Sequence, residues 1–404
     1  MTDVAWFIPS LIEGSGGHRT LLQHAHALEQ HGYRCHIYLE GSGSPSAAAE
    51  TVRRLFGFEF RSVHFGWDNI APADIAIASI WYSATVVRDL PFECTRCYFV
   101  QDYEAVFNPV GDTYLLAENS YRYGLLPITI GRWLKHELNT KFQVSARHFN
   151  FGADTTVYRQ LANIKREQAV CFIYQPDKPR RCSRIGLEAL QIVHHRRPDV
   201  KIYLYGSVPD KSIHIWFKHE HMGLLSLEDC NLLYNRCSVG LCLSASNPSR
   251  IPFEMMAAGL PVVEFWRENN LYDLPPEAAS LSDQTPEGLA EAIVRLLDDP
   301  QTREQMSVAG QQFMADRTMQ NETDTVADII AEFHKGAALP IEEVQPLYNR
   351  APIKGDFRTD FPRSAALTYL VQPSRSRLNA LPPPVRKVLR WGYRKARNFL
   401  LAEA

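Results

Sequence analysis

Residues 244–264 read SASNPSRIPFEMMAAGLPVVE and carry the clearest structural signal in the chain. The preceding residues 238–243 are small and apolar without a break, which is typical of a buried strand in a parallel sheet. After the polar turn, Pro252 stands where the first turn of a helix tolerates proline, and Gly259 and Pro261 end that helix. A strand, a polar loop and a helix in this order place free backbone N–H groups at the carboxyl edge of a sheet. The stretch therefore predicts a phosphate-binding edge in an α/β domain.

Glu254 falls in the first turn of this predicted helix, where the helix dipole favours a carboxylate. Its two oxygens can accept hydrogen bonds from both hydroxyls of a vicinal diol such as a ribose. Three residues of the polar turn, Asn247, Ser249 and Arg250, are predicted to bind the same ligand. An ordinary buried helix with one acidic residue near its start is the alternative, and the stretch alone leaves it open.

Length and composition define a broad class of protein. A chain of 404 residues is too long for one core and long enough for two domains with a tail. Hydrophobic residues make up 45% and charged residues 22%, as in a globular protein, and the net charge of −2 gives no reason to expect nucleic acid as a partner. There is no apolar run of the roughly 18 to 20 residues that span a bilayer, and residues 1–10 lack the features of a signal peptide. We therefore expect a cytoplasmic protein.

The eight cysteines are scattered, and several stand inside apolar runs, which favours reduced thiols packed as small hydrophobic side chains. Cys94 and Cys97 form a C-x-x-C pair, but no second Cys or His pair follows at zinc-finger spacing. Nor does an Asp-x-Asp follow a predicted strand, as a metal-bridged diphosphate would need. The sequence predicts neither a metal site nor a cofactor, and a redox role for the pair remains the minor alternative.

The first half of the chain opens with a strand, a glycine loop, a helix and a second strand, which together predict a Rossmann-type unit. The strands are residues 4–9 and 35–39, and the helix is residues 20–31. Gly16 and Gly17 lie in the loop, where glycine lets a ligand approach the backbone closely. Their spacing is not that of the dinucleotide fingerprint, and a tight turn without a ligand is the alternative.

Polar residues follow another predicted strand of this half. Residues 75–79 and 96–100 are predicted strands, and the second runs into Asp102 and Glu104. Because ligands bind beyond the carboxyl ends of parallel strands, these carboxylates are candidates to orient or deprotonate an acceptor hydroxyl. A helix N-cap by Asp102 is the alternative. Residues 127–130 are predicted to be the last strand of this half.

The second half repeats the pattern with a basic loop. After a predicted strand at residues 169–174, two prolines stiffen the loop that carries Lys178, Arg180 and Arg181. A guanidinium offers a planar fork to phosphate oxygens, so this loop is predicted to neutralise a diphosphate, with a solvated loop as the alternative. The next predicted strand, residues 200–205, ends at Gly206, where the backbone can approach a ligand. Helices are predicted at 185–194, 227–234, 289–297 and 300–317.

These motifs resemble those of retaining glycosyltransferases with the GT-B fold, in particular the GT4 family and its bacterial rhamnosyltransferases of surface polysaccharides. The family motif has two glutamates eight positions apart ahead of a Gly-x-Pro-Val-Val turn. Glu254 matches the second, which implies ribose binding, while Ser246 stands in the place of the first. The family's glycine turn implies that Gly16 and Gly17 lie near the donor diphosphate. The segment HMGLLS with Gly223 resembles the turn beside the nucleobase, although Leu224 stands where a lysine is common.

The end of the chain differs in composition from the rest. Residues 336–404 are rich in proline and basic residues, and residues 385–401 predict an amphipathic helix with a basic face and no acidic residue. Such a helix is typical of a membrane surface, and docking of its apolar face on the body of the protein is the alternative.

The sequence thus predicts an α/β protein of GT-B type, with two Rossmann-like domains facing across a cleft and a C-terminal helical tail. The predicted domains are 1–154 for the acceptor, 155–335 for the nucleotide-sugar donor and 336–404 for the tail. The resemblance implies metal-independent transfer of a hexose or deoxyhexose, with rhamnose from dTDP-rhamnose the best candidate, to a glycan or lipid-linked glycan. A nucleotide- or glycan-binding protein without catalysis, and a sugar-nucleotide epimerase of the same fold, remain the alternatives.

Overall fold

The computed structural model describes residues 1–210, 215–336 and 339–356 of the chain. Within these residues the first sheet has seven strands, all parallel, in the order β3-β2-β1-β4-β5-β6-β7. The strands are β1 Asp3–Ile8, β2 Arg34–Leu39, β3 Ser62–Phe65, β4 Ile75–Ala78, β5 Thr95–Val100, β6 Leu126–Ile130 and β7 Arg147–Phe149. The helices of this domain are α1 Gly16–Gln30, α2 Pro45–Phe56, α3 Trp81–Arg88, α4 Asp112–Ser120 and α5 Arg132–Phe142.

The second sheet repeats this arrangement, with six described strands, all parallel, in the order β10-β9-β8-β11-β12-β13. The strands are β8 Ala169–Ile173, β9 Lys201–Tyr205, β10 Glu220–His221, β11 Val239–Leu241, β12 Val262–Phe265 and β13 Ala279–Ser282. The helices that follow β8 are α6 Ser183–Arg196, α7 Leu227–Arg236, α8 Ile251–Ala257, α9 Glu268–Leu271, α10 Pro286–Asp298, α11 Pro300–Met314 and α12 Met319–His334. Two short 3₁₀ turns, Glu104–Phe107 and Pro179–Arg181, follow β5 and β8.

Both sheets have the doubly wound strand order, in which the direction of winding reverses beside the first strand of each sheet. The central strands are apolar throughout: β4 and β8 are buried at every position, because helices cover both faces of the sheet. Ligands bind such sheets beyond the carboxyl ends of the strands, next to the reversal point. The loops after β1, β5, β8 and β11 therefore have the position of a binding site, and the prediction of a two-domain α/β fold is confirmed.

Some predicted elements need correction. The predicted loop at Gly16 and Gly17 is already the first turn of α1, because the Ser15 hydroxyl accepts a hydrogen bond from the backbone N–H of His18 (3.4 Å) and caps the helix there. Strand β6 is not the last of its sheet, since β7 pairs with it. Helix α11 ends at Met314, and a separate helix, α12, follows.

Helix α12 packs against α1 and β7 of the first domain, although it follows the second domain in the chain. Residues 339–356 then run along both domains: Glu342 pairs with Lys135 of α5 (2.9 Å), and Ile353 forms a bridge beside Ser282 of β13. The predicted helix at 385–401 lies outside the described residues. None of the helices in the described part of the chain is long and apolar enough to cross a membrane.

Candidate active site

The loops at the two sheet edges contact each other directly through Asp102 and Asn247. One Asp102 oxygen, Oδ1, accepts a hydrogen bond from the Asn247 backbone N–H (2.9 Å), and the other, Oδ2, accepts one from the Ser246 hydroxyl (3.0 Å). The Asn247 amide nitrogen donates in turn to the carbonyls of Gln101 (3.0 Å) and Ile130 (3.1 Å). The loop after β11 is therefore joined to the ends of β5 and β6, which closes one side of the cleft between the domains.

Asp102 is buried in this junction, and its burial raises its pKa, while hydrogen bonds from Asn247 and Ser246 and the nearby arginines lower it. It is not the helix N-cap considered from the sequence, because the turn that follows begins after Tyr103 without a side-chain cap in the described structure. The carboxylate already accepts three hydrogen bonds, including one from the Tyr103 N–H (2.9 Å). These hydrogen bonds offset part of the cost of burying the carboxylate and hold it where the two domains meet.

Glu254 lies in the first turn of α8, as the sequence predicts, beside Tyr158 and Arg250. Burial raises the pKa of Glu254 to about 7, while the positive charge of Arg250 and a hydrogen bond from the Tyr158 hydroxyl oppose that rise. The group therefore changes its charge close to neutral pH. Once ionised, it offers acceptors only, which suits a diol ligand.

Arg180 and Arg181 lie on the 3₁₀ turn directly before α6. The Arg181 guanidinium donates to the Ser244 hydroxyl (3.0 Å), which links the basic loop to the loop after β11. Nε of Arg180 lies 3.7 Å from Oδ2 of Asp102, and burial lowers the pKa of both Arg180 and Lys178. Helix α6 starts after Cys182 and has no side-chain cap among the described residues. The cations of this loop and the positive end of the helix dipole together form a site suited to an anion.

Four glycines line the same edges. Gly16 and Gly17 form the N-terminal turn of α1, beyond the end of β1, and a Cβ at Gly17 would meet the Gln101 side chain at 3.6 Å. Gly206 and Gly223 both have positive φ angles, of 93° and 74°, that side chains rarely adopt, and the Gly206 N–H donates to the Gly223 carbonyl (2.9 Å). The backbone directly after β9 is therefore joined to the backbone directly after β10 at these two glycines, at the edge of the second sheet.

Two of the predicted site residues are engaged in structural networks. Glu104 is buried inside the first domain, where its Oε2 accepts hydrogen bonds from the Trp81 N–H (2.6 Å) and the Tyr98 hydroxyl (3.1 Å), and burial raises its pKa to about 8. Arg250 binds Glu322 of α12 with both guanidinium nitrogens (2.5 and 2.8 Å). Ser249 lies beside it and accepts a hydrogen bond from the Ile251 N–H (3.3 Å) at the start of α8.

Sequence reasoning overlooked Glu264 and Asn269, whose side chains form hydrogen bonds with the backbone of the loop after β11. One Glu264 oxygen accepts hydrogen bonds from the N–H groups of Ser244 (3.1 Å) and Phe265 (2.8 Å), and burial raises the pKa of Glu264 to about 8. The Asn269 amide donates to the carbonyls of Ser244 (3.1 Å) and Ser246. The available signal was the acidic residue inside the apolar run PVVEF, since a carboxylate in a buried strand needs a partner.

Comparison with solved structures gives the fold class: the chain has the GT-B fold. Residues 168–294, most of the second domain, match the family model described as WsaF, C-terminal domain. The O-antigen biosynthesis protein RfbC of Myxococcus xanthus is 29% identical over 306 residues, which are 72% of this chain and 24% of that protein. The chain thus spans about a quarter of the length of this curated relative.

Two solved structures are similar over most of the chain. HepE of Anabaena, solved with UDP and glucose, has a TM-score of 0.63 and 16% identity, covering 82% of this chain and 99% of its own. WaaG, described as a glycosyltransferase involved in lipopolysaccharide biosynthesis, has a TM-score of 0.54 and 14% identity, covering 81% and 99%. At these identities the likeness shows a shared fold.

Proposed function

We propose that this chain is a glycosyltransferase that takes its sugar from a nucleotide donor and adds it to a surface glycan. The observation that carries the proposal is the convergence, at the carboxyl edge of one sheet, of Glu254, the two arginines Arg180 and Arg181, and the uncapped start of α6. A carboxylate can bind the ribose diol of a nucleoside diphosphate, and the neighbouring cations can bind its phosphate groups.

In the proposed complex the donor binds to the second domain. Glu254 accepts the ribose hydroxyls, and the nucleobase lies beside Gly223, where a Cβ would meet nothing within 4 Å and which is hydrogen-bonded to Gly206. The diphosphate lies against Lys178, Arg180, Arg181 and the first N–H groups of α6, with the N-terminal turn of α1 at Gly16 and Gly17 facing it. These groups stabilise the negative charge that develops on the diphosphate as the bond to the sugar breaks.

The acceptor is proposed to bind to the first domain. Asp102 is the carboxylate at the junction of the two domains, and we propose that it orients the groups that bind the acceptor. The buried Glu104, which anchors the turn after it, supports this geometry from within the domain. Retention of configuration, membership of the GT4 family, a deoxyhexose such as rhamnose carried by dTDP, and independence of metal ions follow from the sequence motifs and are part of the proposal.

Similar proteins support the same class of substrates. RfbC is an O-antigen biosynthesis protein, WaaG is a glycosyltransferase involved in lipopolysaccharide biosynthesis, and HepE was solved in complex with UDP and glucose. We propose a related role for this chain in the cytoplasm, with a lipid-linked glycan as acceptor and a membrane contact through residues 385–401.

A nucleotide-binding protein without catalysis is the second candidate. Ser246, which replaces the first glutamate of the motif, is buried and donates to Asp102, so this side chain is engaged between the domains. On this alternative the chain binds a nucleoside diphosphate but turns over no sugar nucleotide. An epimerase would instead convert the sugar nucleotide without an acceptor.

A panel of nucleotide sugars distinguishes these functions. We expect one sugar nucleotide to raise the melting temperature and to be hydrolysed slowly without an acceptor, with turnover unaffected by EDTA. Arg181→Ala should lower kcat about ten- to a thousandfold, with Arg295→Ala, an exposed arginine on α10, as the control. Binding without turnover for every donor favours the non-catalytic candidate, an epimerised product favours the epimerase, and loss of turnover with EDTA that Mg²⁺ restores contradicts metal independence.

A further inference from the structure

Phe107 is a large aromatic side chain that stands at the rim of the cleft. It is 44% exposed, at the end of the 3₁₀ turn that follows Asp102. The guanidinium carbon of Arg180, which belongs to the other domain, lies 4.3 Å from the centre of the Phe107 ring. At this distance a guanidinium is attracted by the negative face of the ring.

The turn that carries Phe107 is held in place by buried residues of the first domain. Glu104 accepts hydrogen bonds from Trp81 and Tyr98, and its own N–H donates to the Tyr121 hydroxyl (3.1 Å). Ala105, next in the turn, is completely buried. The exposed ring is therefore presented at a defined place by a buried anchor.

The guanidinium of Arg180, by contrast, has few other contacts. Its Nε is buried, makes no hydrogen bond among the described residues and lies 3.7 Å from Asp102. The Arg180 backbone is fixed to the second domain, since its carbonyl accepts a hydrogen bond from the Ala245 N–H (2.8 Å). The backbone thus belongs to one domain, while the charged end contacts Phe107 and Asp102 of the other.

We propose that Phe107 is a positioning residue that holds the Arg180 guanidinium for the diphosphate of the donor. This inference rests on the proposed function, because Arg180 is taken there as a diphosphate ligand. The ring supplies attraction without accepting a hydrogen bond, so the N–H groups of Arg180 stay available to phosphate oxygens. Since Phe107 and Asp102 lie on the acceptor domain, the arginine is aligned when the two domains are together.

The test replaces the ring while keeping an apolar side chain. We expect Phe107→Leu to lower kcat for the donor, and the affinity for dTDP or UDP, about three- to thirtyfold, while Phe107→Tyr, which keeps the ring, stays within about twofold of the wild type. In the Arg180→Ala background, Phe107→Leu should have no further effect. A merely structural role would instead lower activity to the same extent in both backgrounds.

Two outcomes overturn the positioning role: equal activity of the Leu and Tyr variants, or an effect of Phe107→Leu that persists without Arg180. If no sugar nucleotide is turned over but the two substitutions weaken dTDP or UDP binding non-additively, the transferase proposal fails and the positioning role stands. If neither nucleotide binds, the pair is tested by a double-mutant cycle on the free energy of unfolding. Absence of coupling between Phe107 and Arg180 then overturns the positioning role as well.

Discussion

Glu254 shows how burial gives one residue a pH-dependent role. Its pKa of about 7 means that the carboxylate forms as the pH rises through neutrality. We expect Glu254→Gln to weaken dTDP or UDP binding by about 1.5 to 3 kcal/mol at pH 8, because a neutral amide replaces a charged acceptor of the ribose hydroxyls. Titration calorimetry measures this difference.

The pH profile provides the control. Because the ionised form binds the diol, wild-type affinity should fall as the pH decreases from 8 to 6, and more steeply than that of Glu254→Gln, in which only the nucleotide itself titrates. Equal affinity of the two proteins at pH 8 would remove Glu254 from the binding site.

Gly152 occupies a position with no space for a side chain. A Cβ there would lie 2.8 Å from Oε2 of Glu322 and 2.9 Å from the Thr318 carbonyl. We expect Gly152→Ala to lower the free energy of unfolding by about 1 to 3 kcal/mol, measured by urea denaturation, because backbone and a buried carboxylate must shift. Gly16→Ala is the matched control: a Cβ there meets nothing within 4 Å, so a change of at most about 0.5 kcal/mol is expected. Equal stability of the two variants would contradict the crowding at Gly152.

For individual residues, the sequence predicted the sheet edge at which a side chain lies better than it predicted the group to which that side chain binds. Glu254, Arg180 and Arg181 were placed at a sheet edge because each follows a recognisable apolar strand. Arg250 lies in the loop after β11, but its guanidinium pairs with Glu322. Glu322 also pairs with His24 (3.2 Å). Local sequence does not reveal whether a guanidinium is already paired with a carboxylate that lies far away in the chain.

Among the elements, the end of β5 and its 3₁₀ turn depend on a buried acid. Burial raises the pKa of Glu104 from 4.5 to about 8. Between these values the folded protein keeps a proton that the unfolded chain releases, so the free energy of unfolding falls as the pH rises through this window. Glu264 in β12, with a pKa of about 8, contributes in the same direction.

We therefore expect Glu104→Gln to be less sensitive to alkaline pH than the wild type. Gln keeps the shape and an acceptor for the Trp81 N–H but carries no titrating group. The advantage over the wild type should grow by about 2 to 5 kcal/mol between pH 5 and pH 9, and urea denaturation at several pH values measures it. Parallel pH profiles of the two proteins would show that Glu104 does not titrate in this range.

The apolar strands were the elements most accessible from sequence, since β4 and β8 are uninterrupted apolar runs and β1, β5 and β9 have polar residues only in their first one or two positions. Short β7, with Arg147 and His148 in it, has no such pattern and forms because β6 offers it a free edge. Helix α12 was not predicted, and its place could not be derived from the sequence, since its packing against α1 depends on tertiary contacts such as the pair of His24 with Glu322.

For the whole molecule, residues 339–356 act as part of the folded body. The Lys135 side chain is only 5% exposed and pairs with Glu342, and the Tyr348 hydroxyl accepts a hydrogen bond from the Leu281 N–H (3.2 Å). We expect a chain ending at Gly336 to lose about 2 to 5 kcal/mol of stability, because it leaves a buried ammonium unpaired and uncovers β13. A chain ending at Asp356 is the control and should unfold like the full chain.

The Asp356 chain also tests the proposed membrane contact. We expect the full chain to bind anionic liposomes at low salt, and the Asp356 chain to lose that binding and keep its nucleotide affinity. If it binds liposomes like the full chain, the contact does not come from residues 385–401. If the chain ending at Gly336 is as stable as the full chain, residues 339–356 do not support the fold.

The way in which the chain passes between the two domains limits which segments related proteins can exchange by recombination. In the described residues the chain enters the second domain at Ala153 and leaves it at Thr318, two residues that bridge each other, and it returns there at Tyr348. The second domain is therefore encoded by two separate stretches, 154–317 and 348–356. If a relative supplies only the segment between breakpoints at 153 and 318, the two junctions fall at the bridge between these residues. Tyr348 and Ile353 then pack against a β13 that comes from the relative. Recombination that replaces the second domain without loss of stability must carry both stretches.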